Sequence, residues 1–297
     1  MTYPDLYTSA GATFGGFRTG YKDSDYVAIG VPFDATSSYR PGSRFAPLAI
    51  REASLNIETY SFRAEIDLEE LKIHDAGDLH VTGDADETLR RLQLVTEETL
   101  NDRKTPFLIG GEHTISFGAV KGIHGGLAVL SFDAHLDLRN EYMGQKVCHA
   151  TFMRRIAETV NPLKIVEVGT RAVCREELEY ARDNDIAYLT SQKILRVGAD
   201  KAAEEINGLL DGCDRIYLTV DMDVLDPASA PAVQNPEPDG LSAHELLNLL
   251  SETCGRRVVA FDVAEVAPHY DMGVTAIQAA KTIFEILSCI HRDRHGS

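Results

Sequence analysis

Short apolar runs alternate with longer amphipathic stretches along the whole chain. Residues 26–30, 72–73, 107–109, 127–132, 164–168, 187–189, 216–220 and 258–261 read as strands. Between them, residues 86–100 bring Leu89, Leu92, Leu94, Val95 and Leu100 to one broad face, as a helix does. Ser242-Ala-His-Glu245 reads as a capping box that opens an apolar helix over residues 246–250, and residues 275–290 form another amphipathic helix. Alternation of this kind predicts βαβ units: an α/β protein with three α/β/α layers and a mostly parallel sheet. Ligands in such sheets bind beyond the carboxyl ends of the strands. No Pro-, Gly- or Ser-rich linker, internal repeat or low-complexity tract interrupts the pattern, so one domain spanning residues 1–297 is expected.

Composition narrows the class. At 44% hydrophobic and 25% charged residues the chain is an ordinary soluble protein. No apolar run approaches the ~20 residues of a membrane span, so no membrane association is expected. The opening Met1-Thr-Tyr-Pro-Asp-Leu lacks the basic and apolar parts of a signal peptide, which makes the cytoplasm the expected location. The five cysteines are dispersed, odd in number and without a C-x-x-C pair, so neither a disulfide framework nor a zinc knuckle is indicated. Cys148 reads as a small space-filler rather than a nucleophile. A formal net charge of −17 argues against nucleic acid and would draw in a small cationic substrate.

The chemistry concentrates at strand ends. Asp133-Ala-His135-Leu-Asp137 follows one apolar run and Asp221-Met-Asp223 another. Side chains two apart share a face of extended chain, so each string aims its acids at one locus. Like-charged carboxylates about 4 Å apart repel by roughly 4 kcal/mol at an effective dielectric of ~20, a penalty that cations remove. Gly110-Gly-Glu-His113 adds an imidazole after a third strand, where two glycines permit a sharp turn. The ligand set is then His113, Asp133, His135, Asp137, Asp221 and Asp223. So many oxygen donors suit two Mn²⁺ ions better than one zinc. Asp226, directly before Pro227, reads as a turn-former outside the set.

These strings, together with Gly30-Val-Pro-Phe-Asp34, Arg40-Pro-Gly-Ser-Arg44, Asp221-Met-Asp-Val-Leu-Asp-Pro227 and Phe261-Asp-Val-Ala-Glu265, resemble the ureohydrolases of the arginase and agmatinase superfamily over nearly the whole length. The resemblance implies a sheet of about eight strands and a binuclear manganese site that hydrolyses a guanidino group to urea and an amine through a metal-bridging hydroxide. It implies that His113 and Asp137 bind one ion, that His135 and Asp223 bind the other, and that Asp133 and Asp221 bridge both. Glu265 then pairs with the guanidinium, for which a carboxylate accepting two parallel N–H bonds is suited. His149, twelve residues beyond Asp137, matches a proton-shuttling histidine, and Asp137 passes a proton to the departing amine. A homotrimer or homohexamer is likewise implied.

The loop Gly144-Gln-Lys-Val-Cys-His149-Ala150 and the stretch Gly169-Thr-Arg171-Ala-Val-Cys174 lack the polar and acidic partners that arginases give an amino-acid head group. Agmatine is therefore the expected substrate. Guanidinobutyrate, an aminopropyl-agmatine, guanidine and arginine remain alternatives, as do, further off, a metal-dependent deacetylase and a non-catalytic metal scaffold. One departure stands out: Ala230-Pro-Ala-Val233-Gln234-Asn235-Pro236 places Gln234 where relatives carry a glycine. Gln234 and Asn235 are accordingly expected to line the substrate pocket.

Overall fold

The eight runs become eight parallel strands, and the central ones are apolar throughout because helices bury them on both faces. The computed structural model describes residues 3–9 and 12–295. Its main sheet contains β1 (Thr8–Ser9), β2 (Tyr26–Gly30), β3 (Ile73–Leu79), β4 (Thr105–Ile109), β5 (Ala128–Phe132), β6 (Lys164–Thr170), β7 (Ala187–Thr190), β8 (Ile216–Asp221) and β9 (Val258–Ala264). They lie in the order β1-β3-β2-β4-β9-β8-β5-β6-β7. Only the short edge strand β1 runs antiparallel, against β3.

Helices α1 (Tyr3–Tyr7), α2 (Ala46–Ser54), α3 (Ala85–Asn101), α4 (Ile115–Lys121), α5 (Phe152–Thr159), α6 (Arg175–Asp183), α7 (Ser191–Val197), α8 (Ala199–Leu209), α9 (Ala243–Thr253) and α10 (Val274–His295) complete the layers. Alternate strand residues feed two separate cores. Ala28, Phe107, Leu130, Leu218 and Phe261 pack with α2 and α7 to α10, whereas Val27, Leu108, Val129 and Tyr217 pack with α3 to α6. Helix starts follow the local chemistry. Asp84 accepts the Asp86 N–H at 2.9 Å to begin α3. Ser242 and Glu245 form the reciprocal box that begins α9, with Glu245 N donating to Ser242 Oγ at 3.2 Å and Ser242 N to Glu245 Oε2 at 2.8 Å. No helix among the described residues is long and apolar enough to cross a membrane.

One strand is longer than its sequence pattern suggests. β3 continues well past Ile73 although His74, Asp75 and Asp78 interrupt its apolar character. The acids are tolerated because Arg51 on α2 meets them. Its Nε and Nη2 reach the two Asp75 oxygens at 2.8 and 2.9 Å, Nη1 pairs with Asp78, and Nη2 also donates to Gly77 O at 3.0 Å. Both Arg51 and Asp75 are almost fully buried. Arg51→Met should therefore lower unfolding stability by about 3–5 kcal/mol, because Asp75 is left buried without its cation. Urea titration checks this; a loss under about 1 kcal/mol would match an exposed pair instead.

Candidate metal centre

Four neighbouring central strands, β4, β9, β8 and β5, end along one edge of the sheet, and each delivers a charged residue there. After β4 the chain passes through Gly110 and Gly111 to His113. The glycines serve close approach rather than left-handed backbone: a Cβ on Gly111 would stand 2.0 Å from Phe33 O. β5 leads into Asp133, His135 and Asp137. β8 closes on Asp221 and turns through Met222–Val224, placing Asp223. β9 leads into Glu265.

In both acid strings the first aspartate fixes the next through the backbone. Asp133 Oδ1 accepts the His135 N–H at 2.6 Å, and Asp221 Oδ1 accepts the Asp223 N–H at 2.7 Å. Their other oxygens turn to His113: Nδ1 lies 3.0 Å from Asp133 Oδ2 and 3.2 Å from Asp221 Oδ2. His135 Nδ1 lies 3.0 Å from Asp223 Oδ2 and 3.4 Å from Asp133 Oδ1. Two triads result, His113–Asp133–Asp221 and Asp133–His135–Asp223, each with donor atoms within 4.8 Å of one another. Asp133 belongs to both. Asp137 stands beside the first, its Oδ2 3.8 Å from His113 Nδ1.

The donor set fits a cation. His113 Nε2 meets Thr219 Oγ1 at 2.7 Å, while Thr219 Oγ1 donates its only proton to Asp262 Oδ1 at 2.5 Å. Thr219 can then only accept from Nε2–H, which leaves the Nδ1 lone pair facing two carboxylates. Nδ1 has no hydrogen-bond partner among the described residues. A lone pair and two carboxylates converge there, and only a positive charge satisfies them. Burial opposes a proton on His113, yet Asp133 and Asp221 hold its imidazole well above the usual histidine range. Asp223 and Asp133 do the same for His135 against burial. Burial and the neighbouring charges of Asp223 and Asp133 raise Asp221 well above the carboxylate range.

Glu265 stands over this cluster. Its Oε1 accepts the His113 N–H at 2.6 Å, and Oε2 is buried without a partner among the described residues. Burial first, then the charge of Glu112, pushes its carboxyl up to about 8. Glu265 and Asp137 both adopt left-handed backbone, with φ of 69° and 50°. Eight side-chain-bearing residues occupy that region among the described residues, and of these Asp137 and Glu265 line the cavity. His149 is buried, and burial followed by the charge of His135 pushes it down to about 4. A cavity of about 450 Å³ opens onto His135, Asp137, His149, Asp221, Asp223, Asn235 and Glu265.

Gln234 is not brought to that cavity. The chain bends at Gln234 and Asn235, and the Gln234 side chain is buried, its Nε2 donating to Ser43 Oγ at 2.7 Å. Its backbone N–H reaches Glu265 O at 3.2 Å, so it braces the loop that carries Glu265. Cys148 is buried, and burial pushes its thiol up, in keeping with a space-filling role. Asp226 accepts the Ala228 and Gly240 N–H groups at 2.9 and 3.1 Å, as a turn-former does.

Sequence reasoning missed Arg171. Its five guanidinium N–H groups are shared among six carbonyl oxygens within hydrogen-bond distance, those of Gly169, Asp223, Val224, Leu225, Glu237 and Pro238. It thereby straps the turn bearing Asp223 to the segment that borders the cavity. Carbonyl partners leave no trace in side-chain patterns; the Gly169-Thr-Arg171 string at the end of β6 is the only signal.

Comparison with known proteins agrees with this geometry. Residues 24–289 match the arginase family. An agmatinase of Halalkalibacterium halodurans is 36% identical over 294 residues, 97% of this chain and 99% of that protein. The N(1)-aminopropylagmatine ureohydrolase of Thermococcus kodakarensis is 36% identical over 264 residues, 87% of this chain and 88% of that one. The crystal structure of the agmatine ureohydrolase of Thermoplasma volcanium is similar with a TM-score of 0.89 and 35% identity, over 97% of each chain. The chain belongs to the arginase family and is an agmatinase-type ureohydrolase enzyme.

Arg171→Leu should lower stability by about 2 kcal/mol, the scale of lost charge-assisted hydrogen bonds. Hydrogen exchange should quicken in residues 223–241. Unchanged exchange there would deny the strap.

Proposed function

We propose that this chain is a binuclear manganese hydrolase that converts agmatine to urea and putrescine, acting as one catalytic domain. The observation that carries the reading is the buried meeting of the His113 Nδ1 lone pair with Asp133 and Asp221, beside a Glu265 oxygen that lacks a partner among the described residues. His113 and Asp137 would hold one ion, His135 and Asp223 the other, with Asp133 and Asp221 between them. Bound there, the ions would lower the pKa of a water and make it a nucleophile near neutral pH.

The chain's own residues supply the rest. Glu265 Oε2 is free to accept guanidinium N–H groups, because Oε1 is already committed to His113 N–H. A cationic guanidinium would hold Glu265 ionised against the burial that raises it. Asp137, beside His113 and on the cavity wall, can carry a proton to the departing amine. His149, on the same wall, exchanges protons between cavity and solvent. Net charge of −17 favours approach of a cationic substrate. The similarity to agmatinases and to an N(1)-aminopropylagmatine ureohydrolase supports a substrate that contains the agmatine skeleton. A cytoplasmic homotrimer or homohexamer working in polyamine synthesis accords with this reading.

Urea release from the Mn²⁺-loaded chain tests it, using agmatine, N(1)-aminopropylagmatine, guanidinobutyrate, arginine and guanidine. Agmatine should give the highest kcat/KM. A preference for arginine or guanidinobutyrate would overturn the substrate, and silence across the panel would overturn the reaction. Asp221→Asn should lose both bound metal and turnover; full metal content in that variant would deny Asp221 a ligand role.

Metal uptake should also depend on pH. Without an ion, His113 and His135 keep protons to well above the usual histidine range, whereas metal ligation needs neutral imidazole. Mn²⁺ binding should therefore release protons at pH 7 and tighten as pH rises. Calorimetry in buffers of different ionisation enthalpy reads this directly; uptake without proton release counts against these two ligands.

A further inference from the structure

The loop after β2 reaches His149 and engages both ring nitrogens. Thr36 Oγ1 lies 3.3 Å from Nδ1, and Ser38 Oγ lies 3.0 Å from Nε2. Thr36 Oγ1 also accepts the His149 backbone N–H at 3.2 Å. Its own proton is committed elsewhere, because Thr36 Oγ1 donates to Glu112 Oε1 at 2.5 Å. The Thr36 N–H donates to Glu112 Oε2 at 2.8 Å, and Thr114 Oγ1 donates to Oε1 at 2.6 Å. Three donors thus converge on the fully buried Glu112 carboxyl, which marks it as an acceptor.

A hydroxyl carries one proton and two acceptor lone pairs. With its proton on Glu112 and one lone pair on the His149 backbone N–H, Thr36 meets Nδ1 only as an acceptor. Nδ1 then bears the ring hydrogen. Nε2 of the neutral imidazole is the lone-pair nitrogen, receiving the Ser38 O–H, and Ser38 lines the same cavity.

We infer that Thr36, backed by Glu112, is a positioning residue that locks His149 in the Nδ1–H tautomer and keeps Nε2 as the base facing the cavity. This rests on the reading of His149 as the proton carrier. As water adds to the guanidinium carbon, the proton it gives up goes to Nε2, and the ring becomes an imidazolium. Ser38 then turns its hydroxyl to accept. As the C–N bond breaks, Asp137 carries the hydroxyl proton of the adduct to the amine nitrogen and the carbonyl of urea forms; the Nε2 proton then turns the freed amine into an ammonium, and the ring returns to its starting tautomer. Thr36 and Glu112 exchange nothing with the substrate.

The test uses the full Mn²⁺-loaded chain and the best substrate of the panel. Thr36→Val should lower kcat at least ~10-fold, with KM and metal content little changed. Thr36→Ser should restore most of kcat. In a His149→Ala background, Thr36→Val should cost nothing further. ¹⁵N spectra of the wild-type chain loaded with diamagnetic Zn²⁺ give a readout independent of variant folding: Nδ1 should be the protonated nitrogen and Nε2 the bare one. The reverse pattern, a serine variant as slow as valine, or additive losses in the double variant would each overturn the inference. A slow His149→Ala beside a normal Thr36→Val would sink the positioning role alone. A normal His149→Ala would remove the proton-carrier reading itself.

Discussion

Charge repulsion at the end of a parallel sheet governs this molecule. β4, β9, β8 and β5 end side by side, so His113, Asp133, Asp221 and Glu265 emerge into one buried space. Left alone, the acids would push the strand ends apart. They are held by local fixings: Asp133 and Asp221 cap the next turn of their own loops, Gly111 lets the Phe33 backbone close in, and Arg171 straps the Asp223 turn. The repulsion that remains is what gives the centre its appetite for positive charge, whether proton or metal ion.

Two histidines in the site are tuned by the same device. Each ring donates to a threonine hydroxyl whose own proton is spent on a buried carboxyl, Thr219 on Asp262 and Thr36 on Glu112. The outcome differs because the threonines touch opposite nitrogens. His113 presents Nδ1 to the acid cluster, and His149 presents Nε2 to Ser38 at the cavity wall. A hydroxyl between imidazole and carboxyl sets the direction of the hydrogen bond without placing a second charge against the ring.

Much of this was legible in the chain. The apolar runs located the central strands, since strands covered on both faces must be apolar throughout, and the acids after them marked the functional edge. Capping chemistry fixed the start of α9 through Ser242 and Glu245. What stayed hidden depends on partners distant in sequence. β3 looked short because Asp75 and Asp78 are polar; Arg51, 24 residues earlier than Asp75, supplies the cation that meets both, and the distant Phe14 N–H adds to Asp75. Gln234 looked like a pocket residue from its neighbours, yet Ser43, 191 residues away, draws its amide out of the cavity. Thr36 and Arg171 act through a ring nitrogen and through carbonyl oxygens, neither of which shows in a motif.

The left-handed backbone at Asp137 and Glu265 sets the chemistry of the cavity wall against local strain. Each residue holds a conformation that costs on the order of 1 kcal/mol and that glycine would adopt freely. Glycine at both positions would relax that backbone and remove two carboxylates from the cavity wall. The strain is thus carried where both carboxylates face the cavity, beside His113 and the other acids.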